Sequence, residues 1–106
     1  MAKSYGLDCP VARTLDVIGD RWTILLLRDF LLHGARRFQD FSDAFPGLTP
    51  SVLSARLKEL EDRGVIESRP YSDHPPRFEY LLTPKGRSLG PILKALRHWG
   101  ETQTAG

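Results

Sequence analysis

A single cysteine, Cys9, rules out two kinds of scaffold: an internal disulfide framework and a cysteine-based zinc site. Cysteine used this sparingly suits a reducing compartment, and the cytoplasm is the expected location. Long apolar runs are missing too. None approaches the ~18 residues of a membrane span, and the N-terminus lacks the apolar core of a signal peptide, so no membrane association is expected. Charge of one sign is not in large excess, since the formal net charge is only +2. A case for nucleic acid must therefore rest on where the cations sit, not on their total. His33, His74 and His98 fall on different elements without ligand-like spacing, so no metal site is expected. No nucleophile–base pair, phosphate loop or paired-carboxylate site can be defended, which argues against an enzyme and calls for no cofactor. There is no internal repeat or low-complexity segment. What is present is ordinary for a soluble globular chain: 106 residues, 41% hydrophobic and 26% charged. That length makes one domain (1–106) with a single core.

Residues 1–7 have no periodic pattern and are expected to form a mobile arm. Asp8-Cys9-Pro10 opens a first helix, capped by Asp8 or Cys9, with Val11, Leu15 and Ile18 on one stripe and Gly19 at its end. Asp20 caps a second helix, Arg21 to Leu32. Its apolar residues cover more than half its circumference, so it is expected to form the buried centre of the domain. His33-Gly34 breaks that helix, and the basic run Ala35-Arg36-Arg37-Phe38 follows. Gln39 to Phe45 makes a short third helix with Phe38, Phe41 and Phe45 spaced for burial, and Pro46-Gly47 is a turn signal.

The next stretch organises the rest. From Thr49 to Gly64 one helix is written with both ends: Thr49 as cap, Pro50 at the first position, Gly64 as the left-handed terminator. Leu53, Leu57 and Leu60 share a face at i, i+4, i+7. Ser51, Ala55 and Lys58 lie opposite, with Ser54 and Arg56 on the flanks. Read alone, this is equally a solvated surface helix and a major-groove reader, in which small residues let the backbone approach and cations reach bases or phosphates. Its context decides. A short helix, a Gly-containing turn and this helix make a helix-turn-helix over 38–64. Two strand-like runs, Val65–Tyr71 and Arg77–Leu82, flank a proline-stiffened turn, Ser72–Pro76, and form a wing over 65–82. Pro70 has no ladder donor and is expected at an edge-facing or bulged position. Thr83-Pro84 starts a last helix, kinked or broken at Gly90-Pro91, with Leu89, Ile92, Leu93, Leu96 and Trp99 on its stripe. Residues 101–106 read as a polar, frayed tail. The predicted fold is mainly α with a β-hairpin wing, a winged helix-turn-helix.

With these residues in view, the chain resembles the HxlR-type branch of the MarR-like winged-helix transcriptional regulators. The likeness runs in order through Cys9-Pro10-Val11, Gly19-Asp20-Arg21-Trp22, Arg28-Asp29, Arg36-Arg37-Phe38, Pro46-Gly47 and Leu53 to Glu61. It continues through Gly64-Val65-Ile66, Pro75 to Tyr80, Leu82-Thr83 and Trp99-Gly100. No one segment is diagnostic, but the ordered set spans residues 8 to about 100 and is highly specific. The resemblance implies a small homodimeric bacterial DNA-binding protein that controls transcription, more often as a repressor. It also implies dimerisation through the N- and C-terminal helices (8–19 and 84–100), two winged domains facing one palindromic double-stranded DNA operator, and in many members an oxidant or electrophile sensed through the cysteine that Cys9 matches. A small-molecule inducer is a further partner such proteins can have.

Each candidate residue has a competing reading. Arg56 and Lys58, with Thr49, Ser51, Ser54 and Ala55, lead the expected DNA contacts; a bidentate Arg–guanine pair is worth about 1–3 kcal/mol of discrimination. The rival for Arg56 is an ion pair with Glu59 or Asp43. Arg69, His74 and Arg77 are wing candidates for the minor groove or its phosphates, against solvated hairpin charges. Arg36 and Arg37 are candidates for the DNA backbone, one of them equally a structural ion-pair partner. Cys9 lies at a helix N-terminus with Arg13 one turn on, a setting that favours the thiolate and redox sensing; its rival is an inert packing thiol. With no second cysteine, oxidation would require a Cys9–Cys9 bond between subunits or a low-molecular-weight thiol. Trp22 and Trp99 read as core or interface residues. Leu15, Ile18, Leu89, Ile92, Leu93, Leu96 and Trp99 are more apolar surface than so small a domain can bury alone, which predicts a two-fold interface. A winged-helix module that binds a protein partner and no DNA is the alternative, supported only by the modest net charge.

Overall fold

The structure is a computed structural model and describes residues 8–105. The expected arm at 1–7 lies outside the described residues. Helix α1 (Pro10–Ile18) is capped by Cys9, whose Sγ accepts from the Ala12 amide at 3.3 Å. Helix α2 (Arg21–His33) is capped by Asp20, whose Oδ1 accepts from the amides of Trp22 at 2.9 Å and Thr23 at 3.1 Å. Gly34 ends α2 at φ +77°, a conformation open to glycine and costly for side chains with a Cβ. Helix α2 supplies the centre of the core through Leu26, Leu27 and Phe30, but Leu31 and Leu32, which count toward its apolar girth, are exposed.

Helix α3 (Phe38–Ala44) and helix α4 (Pro50–Asp62) are joined by a five-residue turn spanning 45–49. Phe41 of α3 is buried edge-on against Phe30, their ring centres 5.1 Å apart. Trp22 meets Phe45 edge-on at 6.0 Å and lies under Gly47, which fastens the turn to the start of α2. Thr49 caps α4 through the Val52 amide, and Gly64 follows the helix at φ +73°. Leu53, Leu57 and Leu60 are all buried in the core.

Strand β1 (Ile66–Asp73) pairs antiparallel with strand β2 (Pro76–Leu82) in a two-stranded sheet. The strands reach further than the sequence pattern predicts, and the turn shrinks to His74-Pro75, joined by a cis peptide. Pro70 is paired with Phe78, and the register slips between Pro70 and Ser72, so Tyr71 is the bulged residue next to the proline. The missing proline donor therefore coincides with the irregularity it requires. Arg36 adds a one-residue third rung: its N–H donates to the Tyr80 carbonyl at 2.8 Å, and the Tyr80 N–H donates back at 2.7 Å.

The last helix is broken earlier than expected. A single turn, α5 (Pro84–Arg87), is followed by a turn at 88–89 and then α6 (Gly90–Gln103). Pro91 therefore sits in the first turn of a new helix, where its missing N–H costs nothing, and does not kink a continuous one. Residues 101–103, expected to fray, are helical. Packing ties α5 to the root of the wing. Thr83 Oγ1 donates to the Gly64 carbonyl at 2.6 Å and accepts from the Gly86 amide at 3.1 Å. Gly86 is pressed tightly onto the chain just before β1, so that a Cβ there would collide with the Val65 carbonyl oxygen.

Candidate nucleic-acid interface

Burial of Leu53, Leu57 and Leu60 turns the other face of α4 outward, and Ser51, Ser54, Ala55 and Lys58 are exposed on it. Lys58 Nζ lies 3.6 Å from Asp62 Oδ2, with both side chains largely in solvent. Such a pair is weak and leaves the ammonium available to an anion. Thr49 is exposed, but its hydroxyl oxygen is engaged by the Val52 amide at 3.3 Å.

Arg56 has a different neighbour from either acid the spacing suggests. Its Nε lies 3.2 Å from Asp20 Oδ1, the oxygen that already caps α2, and the contact is an ion pair without hydrogen-bond alignment. Burial raises the Asp20 pKa, but the Thr23 amide, Arg56 and the Trp22 amide together outweigh it and hold the carboxyl below its ordinary value. The Asp20–Arg56 pair thus joins the N-terminus of α2 to the middle of α4.

Of the two basic residues before α3, Arg36 is the structural partner. Its Nε donates to Asp29 Oδ2 at 2.8 Å, and Asp29 is only 3% exposed. Asp29 Oδ1 faces His33 Nε2 at 3.9 Å. Arg37 is exposed and stacks its guanidinium 3.7 Å from the ring centre of Tyr71, the bulged wing residue. On the wing, Arg69 Nε donates to Glu79 Oε2 at 2.7 Å across the ladder. Arg77 and His74 are exposed near the hairpin tip, and among the described residues Arg77 has no ion-pair partner. β1 is tied to α4 by the Ser68 hydroxyl, which donates to Glu61 Oε2 at 3.0 Å. Tyr80 is half-buried, and burial, then the charge of Glu61, raises its phenol pKa above the ordinary value.

Asp20, Asp29 and Tyr71 escaped the sequence reading of the site. Asp29 had a signal: a carboxylate midway along a helix apolar over most of its girth needs a buried cation. The Tyr71–Arg37 stack depends on the bulge, which residue spacing does not locate.

At the other end, the apolar stripe divides. Leu15, Ile92 and Leu96 are exposed, Val11 joins them, and Trp99 is 63% exposed. Ile18, expected at an interface, is buried within the core of this chain, and Leu89 and Leu93 are half-buried against that core. Leu89, just before α6, and Leu93 reach that core, whereas Ile92, Leu96 and Trp99 continue the same stripe beyond it. A groove of about 670 Å³ runs between α2 and α6 over Ile24, Leu25 and Leu93, with Arg28, Lys94 and Arg97 among its walls. Cys9 is half-buried, and its Sγ meets the Ala12 amide. Arg13 does not turn to that sulfur; its guanidinium pairs with Asp8 Oδ1 at 3.0 Å. Among the described residues no helix is long and apolar enough to cross a membrane.

A short helix, a tight turn, a helix with an apolar inner face and an open polar outer face, then a hairpin, define a winged helix-turn-helix of the kind found in DNA-binding transcription regulators. The chain belongs to the HxlR-like helix-turn-helix family, whose sequence model matches residues 17–105. It is 43% identical to the HTH-type transcriptional regulator YdeP of Bacillus subtilis (strain 168) over 93 residues, 88% of this chain and 72% of that protein. Its fold matches the redox regulator HypR in its oxidized form with a TM-score of 0.84 and 39% identity, covering 92% of this chain and 100% of the other. A protein described as a MarR-family transcriptional regulator, from Porphyromonas gingivalis W83, matches with a TM-score of 0.81 and 30% identity over 95% of this chain and 98% of that one. The protein is thus a transcriptional regulator with a MarR-like winged helix-turn-helix.

Proposed function

We propose that the protein acts as a homodimer on an imperfectly palindromic operator and represses the adjoining gene. The observation that carries the DNA-facing part is the outer face of α4, where Ser51, Ser54, Ala55 and Lys58 stand exposed while the leucines hold the opposite face in the core. Small residues permit close entry to a major groove, Lys58 supplies phosphate affinity, and Arg77 and His74 extend the contact from the wing tip. Arg37, on the wing side of α3, adds a further backbone contact. We assign Arg56 to the α2–α4 junction with Asp20, and Arg69 to the ladder with Glu79. The dimer is supported by Val11, Leu15, Ile92, Leu96 and Trp99, exposed on the two terminal helices. A two-fold pairing buries them and sets two α4 helices about 34–36 Å apart, one turn of duplex.

The same reading makes Cys9 the responsive group. Its sulfur lies half-buried on α1, the helix that carries Val11 and Leu15. Two Cys9 thiols, one per subunit, would give up two protons and two electrons to an oxidant and join as a disulfide, or each Cys9 thiol and a low-molecular-weight thiol would together lose two protons and two electrons to the oxidant and join as a mixed disulfide. The neighbouring fold of HypR, a redox regulator solved in oxidized and reduced forms, is in keeping with this.

The test is a gel shift on the intergenic DNA upstream of the gene, across a salt series. A steep loss of affinity with rising salt supports phosphate contact; no binding at low salt overturns the reading. Oxidant-treated wild type and Cys9→Ser should differ in operator affinity, and an equal response of both removes Cys9 from the mechanism.

A further inference from the structure

We infer that Asp29 is a positioning residue for the wing, acting through Arg36, so that α2 sets the angle at which the hairpin meets DNA. This rests on the DNA-binding reading above and gives Arg36 a task other than touching the duplex. Three observations converge on the arrangement. Asp29 is buried, and its Oδ2 accepts from Arg36 Nε at 2.8 Å. The Arg36 main chain exchanges two short hydrogen bonds with Tyr80, in the middle of β2. Finally, Tyr80 lies opposite Ser68 in the ladder, so fixing Arg36 fixes the part of the hairpin nearest the helical body.

A two-stranded hairpin has little rigidity of its own, and the described contacts that hold this one to the helical body are few. At its base, Val65, Ile66 and Leu82 are buried and Ser68 reaches Glu61 on α4, and at the bulge Tyr71 stacks on Arg37 at the start of α3. Midway along β2 the attachment is the Arg36 bridge, and Arg36 is itself held by a carboxylate on α2. A buried charge-assisted hydrogen bond is short and directional, and breaking one partner leaves the other uncompensated. Asp29 therefore reaches the wing through one side chain and one backbone bridge. It sits on the helix that faces α6, so a shift of α2 against the terminal helices would move the hairpin with it.

The sign of a single substitution separates this role from direct contact. If Arg36 binds phosphate, replacing Asp29 with Asn removes a competing negative charge, and affinity should rise or hold. If Arg36 positions the wing, Asp29→Asn should weaken binding although the protein becomes more positive. We expect a loss of about tenfold, within the range of indirect coupling, with the dependence of affinity on salt unchanged. Hydrogen exchange of the DNA-free protein is the companion measurement: the Arg36 and Tyr80 amides should exchange faster in Asp29→Asn, while Leu57 and Leu60 in α4 keep wild-type protection.

Should Asp29→Asn not fold, Arg36→Gln serves. A positioning Arg36 leaves the salt slope as in wild type, whereas loss of a phosphate contact lowers it by about one. Tighter or unchanged binding by Asp29→Asn, unchanged exchange at Arg36 and Tyr80, or a reduced slope in Arg36→Gln would each overturn the inference. If wild type binds no duplex DNA, the DNA reading itself falls, and the exchange of these two amides still decides whether Asp29 holds the hairpin.

Discussion

Gly86 lies with its Cα against backbone at Val65 and the side chain of Leu82. An alanine methyl would collide with the Val65 carbonyl oxygen and meet a Leu82 methyl at 2.9 Å, and the carbonyl belongs to backbone at the root of the wing. Gly86→Ala should cost about 3 kcal/mol, the upper end of overpacking penalties, read as a lowered denaturant midpoint; a midpoint equal to wild type would mean that α5 can lift away. Asp20 makes a second prediction at this scale, through pH. Its carboxyl is held below the ordinary range in the folded protein despite partial burial, by two amides and Arg56. A depressed folded pKa adds stability above the unfolded value, about 3.9, and that stability is lost as pH falls through the folded value. Asn retains the cap acceptor but not the charge. Asp20→Asn should therefore be less stable than wild type near neutrality, with the difference shrinking below about pH 4. A constant difference across the acid limb would take the charge of Asp20 out of the account.

Among elements, α4 and the hairpin do separate work on one surface. Lys58→Ala and Arg77→Ala should each weaken duplex binding almost equally across sequences and lower the salt slope by about one, as lost phosphate contacts do. Ser54→Leu, by contrast, should reduce affinity by crowding the groove without changing the slope; a slope change there would relocate the contact. How far these elements could be read beforehand depended on the range of the forces involved. The ends of α4 are local chemistry, a Thr-Pro cap and a terminal glycine, and they lie where residue spacing put them. The three buried leucines follow from helical period alone. Arg36, Arg56 and Ile18 did not yield to the same logic, because their partners lie on other elements: Asp29 and Asp20 on or beside α2, and the core itself. Spacing shows that a residue is basic or apolar, whereas tertiary packing decides which neighbour it meets. The wing tip differs for a related reason: proline density points to a long turn, whereas the ladder closes down to His74-Pro75.

For the whole molecule, the exposed apolar stripe on the terminal helices is the feature to probe. Replacing Leu96 and Trp99 together with lysine should give a monomer in sedimentation, with operator affinity reduced at least about a hundredfold by loss of the second half-site. A double variant that remains dimeric would move the interface elsewhere. None of the α6 residues from Gly90 to Gln103 is fully buried in this chain. A helix of this length is marginal in water without a packing partner. If a second subunit supplies that partner, the helix is completed by assembly, and its thermal transition should rise with protein concentration by mass action. The cell could then set the fraction of competent regulator by how much chain it makes, so that abundance itself becomes an input to the switch.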